Sequence, residues 1–186
     1  MDYFGYKPVS YSRTTITELM IPSYANFGGK IHGGILLSLM DKVAYACASK
    51  HAGNYCVTVS VDNVDFLQPV DVGDLVSLNA SVHYVGKTSL VIGIQVIAEN
   101  VTSSTVKHTN TSYFTMVAKG DDNKTREVPG LILETRSELK NYIEAIKRKE
   151  AKFNYKQTLE YLHDNLDIDE ELSKLKNERC KVGLPD

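Results

Sequence analysis

A glycine-rich turn, an asparagine and an aspartate lie close together near the start of the chain. Residues 26–34 read Asn-Phe-Gly-Gly-Lys-Ile-His-Gly-Gly, and a helix-like run from Ile35 to Ala52 follows at once. A helix that begins with bare glycine N–H groups favours developing negative charge at its N terminus. Asp41 places a carboxylate two turns further along the same helix. An anion-stabilising turn combined with a carboxylate indicates a catalytic role for this stretch.

Asp41 belongs to a narrow polar stripe on an otherwise apolar helix. Apolar residues cover most of the helix circumference, and the polar residues recur at three- and four-residue steps: Ser38, Asp41, Lys42, Tyr45 and Ser49. We therefore expect the helix to be central in the fold and Asp41 to be shielded from water. Two structural alternatives stay open, because the aspartate could simply pair with Lys42 and the glycines could form only a tight turn.

The pattern on either side of this helix predicts a sheet that curls around it. The helix would be about 27 Å long at ~1.5 Å per residue. Between Tyr55 and Gln68 the alternation of apolar residues changes parity, which predicts a β-bulge near Asp62–Asn63. The other predicted strands are Ser12 to Ile21, Val76 to Tyr84, Leu90 to Ala98 and about Val106 to Ala118. Strands of this length suit a sheet that wraps a long object.

Composition and charge exclude several classes of function. The chain has 186 residues, 42% hydrophobic and 24% charged, as expected for one globular domain with or without an appendage. A net charge of −2 provides no basic field for nucleic acid or an anionic membrane. The three cysteines have no Cys-x-x-Cys spacing, and the five histidines show no zinc-type pairing. Free thiols, no signal peptide and no membrane-length apolar run predict a cytoplasmic protein.

The C-terminal part of the chain differs in composition from the rest. We assign residues 12–130 to one domain, which contains every motif described above. Residues 134–186 are predicted to be a helical C-terminal extension of two or three peripheral helices. Apolar residues keep helical spacing as far as Ile146, and mostly solvated basic and acidic runs follow. We interpret this extension as a packing or oligomer-edge element.

Four blocks of the sequence, in the same order, resemble the hotdog-fold acyl-CoA thioesterases, specifically the cytosolic acyl-CoA hydrolase group. The blocks are residues 26–34, residues 36–41 (Leu-Leu-Ser-Leu-Met-Asp), residues 58–74 and residues 85–89 (Val-Gly-Lys-Thr-Ser). The match extends from about Ile16 to Pro129. It implies an α+β hotdog fold, in which a curved antiparallel β-sheet wraps around one long central helix. It also implies a homodimer paired edge to edge, which in this family commonly forms a hexamer as a trimer of dimers.

The resemblance further implies an activity and an active site. The reaction is hydrolysis of acyl-CoA to a free carboxylic acid and CoA, with no cofactor, because CoA is part of the substrate and product. The site lies at the dimer interface, where Asn26 of one subunit works with Asp41 of the other. His32, the N–H of Gly33 and that of Gly34 would bind the thioester carbonyl, although the His32 side chain could instead merely cap the helix or pack. Asp41 would act as a general base on water or as a nucleophile, and the sequence favours neither conclusively.

A second group of residues is expected to bind the rest of the substrate. In this family the turn that holds Lys87, Thr88 and Ser89 contacts CoA, so these residues are candidates for binding its phosphates or pantetheine. Ser60 and Asp62, on the bulged strand, are candidates for lining the acyl or pantetheine channel. Alternatively, both groups could simply be polar residues at the protein surface that contact no substrate.

Two other functions are compatible with a hotdog fold. An enoyl-thioester hydratase would place a histidine about five residues after the aspartate, where this chain has Ala46, so hydration is disfavoured. A non-catalytic acyl-CoA-binding regulatory protein could retain the glycine turn. The presence of both Asn26 and Asp41 favours an enzyme over that alternative.

Overall fold

One long helix and a five-stranded antiparallel sheet form the core of the protein. The structure is a computed structural model and describes residues 5–183. The helices are α1 (Val9–Ser12), α2 (Gly33–Ala52), α3 (Arg136–Asn165) and α4 (Ile168–Glu171), with 3-10 segments at Pro22–Tyr24 and Leu172–Asn177. The strands are β1 (Tyr6–Pro8), β2 (Thr14–Leu19), β3 (Tyr55–Val61), β4 (Asp74–Val85), β5 (Ser89–Asn100), β6 (Thr105–Lys119) and β7 (Gly130–Ile132).

The sheet has the strand order β2-β4-β5-β6-β3, so β2 and β3 are its edges. Every second residue of β4 from Asp74 to Val82 is buried, as are most of the alternate residues of β5 and β6, because one face of the sheet packs against α2. The helix contributes Leu36, Met40, Val43 and Cys47 to that core. A curled antiparallel sheet around one central helix is the hotdog fold, so the predicted fold is confirmed.

The strand that follows the helix differs from its prediction. β3 ends at Val61, and its bulge lies between Thr58 and Ser60 rather than at Asp62–Asn63. Residues 62–68 leave the regular ladder, although the N–H of Asp62 still donates to the carbonyl of Tyr113 (2.9 Å). The change of apolar parity in the sequence therefore marks the end of the strand, where the chain turns away from the sheet. The predicted bulge position was wrong for this reason.

The N-terminal residues were not assigned to any element from the sequence, yet they form a small layer against the C-terminal end of α2. β1 pairs in parallel with β7, and both strands have only three residues, too few to show a period. His51, which is fully buried on α2, accepts a hydrogen bond from Ser12 at Nδ1 (3.2 Å) and donates from Nε2 to the carbonyl of Pro129 (3.0 Å). The Lys7 ammonium donates to the carbonyl of His51 (2.7 Å). One neutral imidazole thus joins three segments of the chain.

The described chain divides into two compact units, the first ending at Ala145 and the second beginning at Ile146. In the first unit α3 begins with a reciprocal cap, in which Glu138 accepts from the N–H of Thr135 (3.1 Å) and donates its own N–H to the Thr135 hydroxyl (3.1 Å). The second unit contains the rest of α3, α4 and the last 3-10 segment. None of the helices within residues 5–183 combines the length and apolar character needed to cross a bilayer.

We predict that His51 makes the stability of the protein depend on pH. Burial lowers the pKa of His51 below its usual 6.5. The unfolded chain therefore takes up this proton first, and the free energy of unfolding should fall as the pH drops below about 6.5, by at most about 1.4 kcal/mol per pH unit from this group. Urea unfolding at pH 7.5 and 5.5 measures the change.

The matched control compares His51→Gln with His163→Gln, since His163 lies exposed on α3. Only the first variant should show a weaker pH dependence than the wild type. An identical pH dependence in all three proteins would contradict the role of His51.

Candidate active site

The glycine-rich turn before α2 is organised by the side chain of Asn26. The side-chain Oδ1 accepts hydrogen bonds from the backbone N–H groups of Gly28 (2.9 Å) and Lys30 (3.2 Å). The backbone N–H of Asn26 donates to the carbonyl of Lys30 (2.7 Å). Gly29 has φ of +76°, which only glycine adopts readily. Because the loop occupies the amide oxygen, the exposed NH₂ group of Asn26 is the part that can donate to a ligand.

Ion pairs attach this turn to the start of β4. Lys30 forms an ion pair with Asp71, which also pairs with Lys107 (3.1 Å). The Lys30 ammonium, followed by that of Lys107, holds the pKa of Asp71 below its usual range. Lys107 lies 3.5 Å from the fully buried Asp74 as well. The N–H of Ile31 donates to Val70 (2.9 Å), so both charges and the backbone fix the turn in place.

His32 caps the N terminus of α2. Its Nδ1 accepts the N–H of Gly34 at 2.8 Å. A Cβ on Gly34 would lie 2.9 Å from the imidazole ring, so this cap requires glycine at that position. Of the two N–H groups predicted to bind a thioester carbonyl, that of Gly34 is therefore already occupied. The N–H of Gly33 has no acceptor within residues 5–183 and remains available.

An aromatic ring lies against the same helix end. A Cβ on Gly33 would be 3.3 Å from Cε2 and Cζ of Phe66, which shows that the ring packs over the glycine. This contact leaves Phe66 nearly half exposed. An open cavity of about 710 Å³ lies beside it, lined by Ala25, Asn26, Phe27, Gly28, His32 and Gly33. The bare N–H of Gly33 thus lies at the wall of a depression that is partly apolar.

Asp41 is exposed in this chain, whereas the sequence predicted that it would be shielded from water. The reason is that β3 is the last strand of the sheet, so no strand within residues 5–183 covers the face of α2 beyond it. The hydroxyl of Thr58 on β3 donates to Oδ1 of Asp41 at 2.6 Å. Within the described chain no ion pair joins Asp41 to Lys42, so that pairing is not realised and the Thr58 hydroxyl is the partner instead. Its Oδ2 is left to accept a proton.

The two halves of this site lie too far apart in one chain to act on one carbonyl. Gly33 and Asp41 are separated by two turns of α2, about 12 Å along the axis. The N–H of Gly33 also points beyond the helix end, away from Asp41, because N–H groups point towards the N terminus of a helix. A general base must reach its proton within about 3 Å, or through one water. Each chain therefore holds two candidate half-sites, one at Gly33 and one at Asp41.

The other predicted binding residues lie elsewhere on the sheet. Ser60 is paired with Thr115 in the ladder, close to the Asp41 half-site. The turn with Lys87, Thr88 and Ser89 follows the far end of β4, a strand of 12 residues that spans about 40 Å at ~3.3 Å per residue. The start of β4 is attached to the glycine turn, so one chain does not bring Lys87 to that turn. Lys87 forms an exposed ion pair with Glu127 (3.2 Å).

The sequence matches the Thioesterase superfamily over residues 28–105. It is 41% identical to the protein VdlD of Helicobacter pylori over 81% of this chain and 87% of that protein. The crystal structure of an apo-hexameric acyl-CoA thioesterase superposes with a TM-score of 0.79 and 35% identity, covering 82% of this chain and 97% of the other. The chain belongs to the thioesterase superfamily. The predicted resemblance is confirmed.

A second solved thioesterase bears on the site itself. It is an acyl-CoA hydrolase from Staphylococcus aureus, solved with butyryl-CoA, CoA and CoA disulfide; the TM-score is 0.74 and the identity 34%, over 85% of this chain and 99% of that one. Variants of it with an asparagine, an aspartate or a threonine replaced by alanine have also been solved. These three residues have the same order and separations along the chain as Asn26, Asp41 and Thr58 of this thioesterase.

Two residues of the site were missed in the sequence, and they were missed for the same reason. Thr58 and Phe66 act through side-chain contacts between elements that are remote along the chain. Their only sequence signal was membership of the third resembling block, residues 58–74, in which the site prediction chose Ser60 and Asp62 instead. The alternation of β3 gives no means to distinguish Thr58 from its polar neighbours.

We predict that the His32 side chain contributes mainly as a helix cap. His32→Ala should lower the free energy of unfolding by about 1 kcal/mol, the usual cost of losing an N-cap, whereas His32→Asn should keep most of it because asparagine is a good N-cap. Urea unfolding of the three proteins tests this. If asparagine restores stability but not thioesterase activity, the imidazole has a second role at the substrate, and equal stability of all three would show that the cap contributes nothing.

Proposed function

We propose that this chain is an acyl-CoA thioesterase that hydrolyses acyl-CoA to a free carboxylic acid and CoA. The observation that carries the proposal is the pairing of Thr58 with Asp41 on the helix that begins with the bare N–H of Gly33. Membership of the thioesterase superfamily, and the acyl-CoA substrates named for its relatives, support it. The same relatives favour hydrolysis over a hydratase or a non-catalytic regulatory protein.

We further propose that a second copy of the chain completes the site. The 12 Å gap along α2, estimated from ~1.5 Å per residue, prevents one chain from using both half-sites. β3 is an open sheet edge with exposed apolar side chains at Tyr55, Val59 and Val61, the kind of edge that pairs with another strand. Pairing about a two-fold axis would bring Asn26 and Gly33 of one subunit to Asp41 of the other. The hexameric relatives support a further assembly of such dimers into a trimer.

In the proposed mechanism Asp41 acts as a general base. Its Oδ2 removes a proton from a water, and the water oxygen forms a bond to the thioester carbon. The π electrons of the C=O bond move to the carbonyl oxygen, which becomes an oxyanion. The N–H of Gly33 stabilises that oxyanion, which contributes about 3 kcal/mol for a well-placed donor. The C–S bond then breaks, and the proton held by Asp41 passes to the CoA thiolate. Thr58 keeps the carboxylate in position, and the NH₂ group of Asn26 orients the water or the carbonyl.

The remaining parts of the substrate are assigned by the same proposal. Lys87, Thr88 and Ser89 would bind the phosphates or pantetheine of CoA, and Ser60 and Asp62 would line the channel beside Asp41. CoA enters only as part of the substrate and leaves as product, so we propose no resident cofactor. A cytoplasmic location is supported by the free thiols of the chain, of which Cys47 and Cys56 are buried and Cys180 is exposed.

We predict that Asp41→Asn lowers the turnover number at least about a hundredfold, because general-base catalysis typically contributes that much. Release of free thiol from a series of acyl-CoAs measures activity, and circular dichroism shows whether the fold is intact. Asp121→Asn, in an exposed turn, is the matched control and should keep wild-type activity. Near-normal turnover in Asp41→Asn would remove Asp41 from the mechanism, and no thiol release by the wild type would reject the function.

Mixing variants tests whether the site is shared between subunits. Asn26→Ala and Asp41→Asn, each nearly inactive alone, should recover up to about a quarter of wild-type activity after unfolding and refolding together, since half of the dimers are mixed and each mixed dimer has one intact site. Recovery is absent if Asn26 and Asp41 of the same chain work together.

We predict that Lys87→Ala mainly raises KM for acyl-CoA and leaves kcat nearly unchanged, because a phosphate contact binds ground state and transition state alike. Lys156→Ala is a suitable control, since Lys156 is also an exposed lysine in an ion pair, with Glu160 on α3. Steady-state kinetics at varied acyl-CoA concentration distinguish the two parameters. A lower kcat at constant KM would contradict a binding role for Lys87.

A further inference from the structure

Phe27 is the most exposed large apolar side chain of the described chain, with a relative exposure of 113%. It follows Asn26 directly and lies at the tip of the glycine-rich turn, on the wall of the open cavity. The turn is held rigidly by the Asn26 hydrogen bonds and by the Lys30–Asp71 ion pair. In an isolated chain this ring leaves apolar surface in water, so burying it against a complementary surface of a partner would be favourable.

A complementary aromatic surface lies beside the Asp41 half-site. Tyr45 is one helical turn beyond Asp41 on α2, and Tyr55 begins β3, the strand that holds Thr58. Their rings are 5.8 Å apart and inclined at 56°, and their relative exposures are 44% and 59%. The two tyrosines thus form an exposed aromatic pair at the end of the seam between α2 and β3.

Two-fold symmetry relates these two surfaces once the shared site is assumed. Two α2 helices related by a two-fold axis across the β3 edges run antiparallel. Residues nearer the C terminus of one helix therefore face residues nearer the N terminus of the other. If Asp41 faces Gly33 of the partner subunit, Leu37, midway between them, lies on the axis. A residue on the axis contacts its own copy in the dimer, so it must be exposed in an isolated chain. Leu37 is exposed on this face (37%). Tyr45 then faces the turn that precedes the partner's Gly33.

We propose that Phe27 of each subunit docks on the Tyr45–Tyr55 pair of the other. This inference rests on the proposed shared site and adds the contact that positions it. Docking buries three exposed aromatic rings, whose tilted contacts are favourable beyond the area they remove from water. Because Phe27 is adjacent to Asn26, the contact fixes the distance from the Asn26 amide to the partner's Asp41. Phe27 is therefore a positioning residue, which acts through Asn26 and not on the reacting atoms.

Disulfide cross-linking tests the contact directly. In a Cys180→Ser background, which removes the exposed thiol, the double variant Phe27→Cys/Tyr55→Cys should form a covalent dimer under mild oxidation on a non-reducing gel. The two cysteines cannot join within one chain, because the 20 residues of α2 keep them about 30 Å apart. Neither single variant should cross-link, whereas Leu37→Cys alone should, because it lies on the two-fold axis.

Each pattern of cross-links has a definite reading. A dimer band from the double variant and from Leu37→Cys supports the proposal. A band from Leu37→Cys without one from the double variant overturns it and leaves the shared active site standing. A band from Phe27→Cys alone, or none from Leu37→Cys, shows a different subunit arrangement and also overturns it. The activity of the wild type with acyl-CoA tests the proposed function separately.

Kinetics test whether the contact positions Asn26. Phe27→Ala should lower kcat by roughly tenfold or more, because displacements near 1 Å at a catalytic group are costly, with KM little changed. Phe27→Tyr should keep most of the activity, and Phe153→Ala, at an exposed phenylalanine on α3, should have no effect. A rise in KM that grows with acyl-chain length would instead mean that Phe27 binds the acyl chain, and the proposal would fail.

Discussion

The rigidity of α2 is the constraint on which the rest of the site depends. The helix carries a bare N–H at its first residue, Gly33, and a carboxylate at Asp41, about 12 Å further along at ~1.5 Å per residue. Helical hydrogen bonds keep that separation fixed, and the N–H points away from the carboxylate. Under the proposed mechanism, an oxyanion held at one end and a water activated at the middle therefore belong to different helices. The proposed need for a second copy thus rests on helix geometry and does not depend on the details of an interface.

The open edge of the sheet provides the place where a second helix can approach. Five strands cover one side of α2, and the sheet stops at β3, so the seam between α2 and β3 remains exposed together with Leu37, Asp41 and Tyr45. Covering this seam would remove water from Asp41 and Thr58, and exclusion of water strengthens electrostatic interactions inside a site. The same surface can thus serve association and catalysis. An aspartate that is exposed in one chain is consistent with a base that works in a shielded environment.

The parts of the fold that the sequence predicted well are the long, strongly periodic ones. The central helix begins two residues earlier than expected, at Gly33 instead of Ile35, and ends at Ala52 as predicted. β1 and β7 were not found because three residues show no period. Within the candidate site, the order of residues along the chain and the resemblance were enough to predict Asn26, Gly33 and Asp41. Thr58 and Phe66 could not be found this way, because their roles arise from contacts between α2 and residues after it, which only the folded chain brings together.

The number of glycines in the turn does not by itself explain what each glycine does there. Of the four in residues 26–34, only Gly29 has a positive φ. The missing Cβ of Gly34 makes room for the His32 ring that accepts its N–H, and the missing Cβ of Gly33 lets the Phe66 ring pack closely over it. One N–H is therefore satisfied within the chain, and the next is left bare under an aromatic ring. A helix end with both groups bonded would have no free donor, and one with both groups bare would lose its cap. The pair thus combines a capped helix end with the one free N–H that the proposed mechanism assigns to the oxyanion.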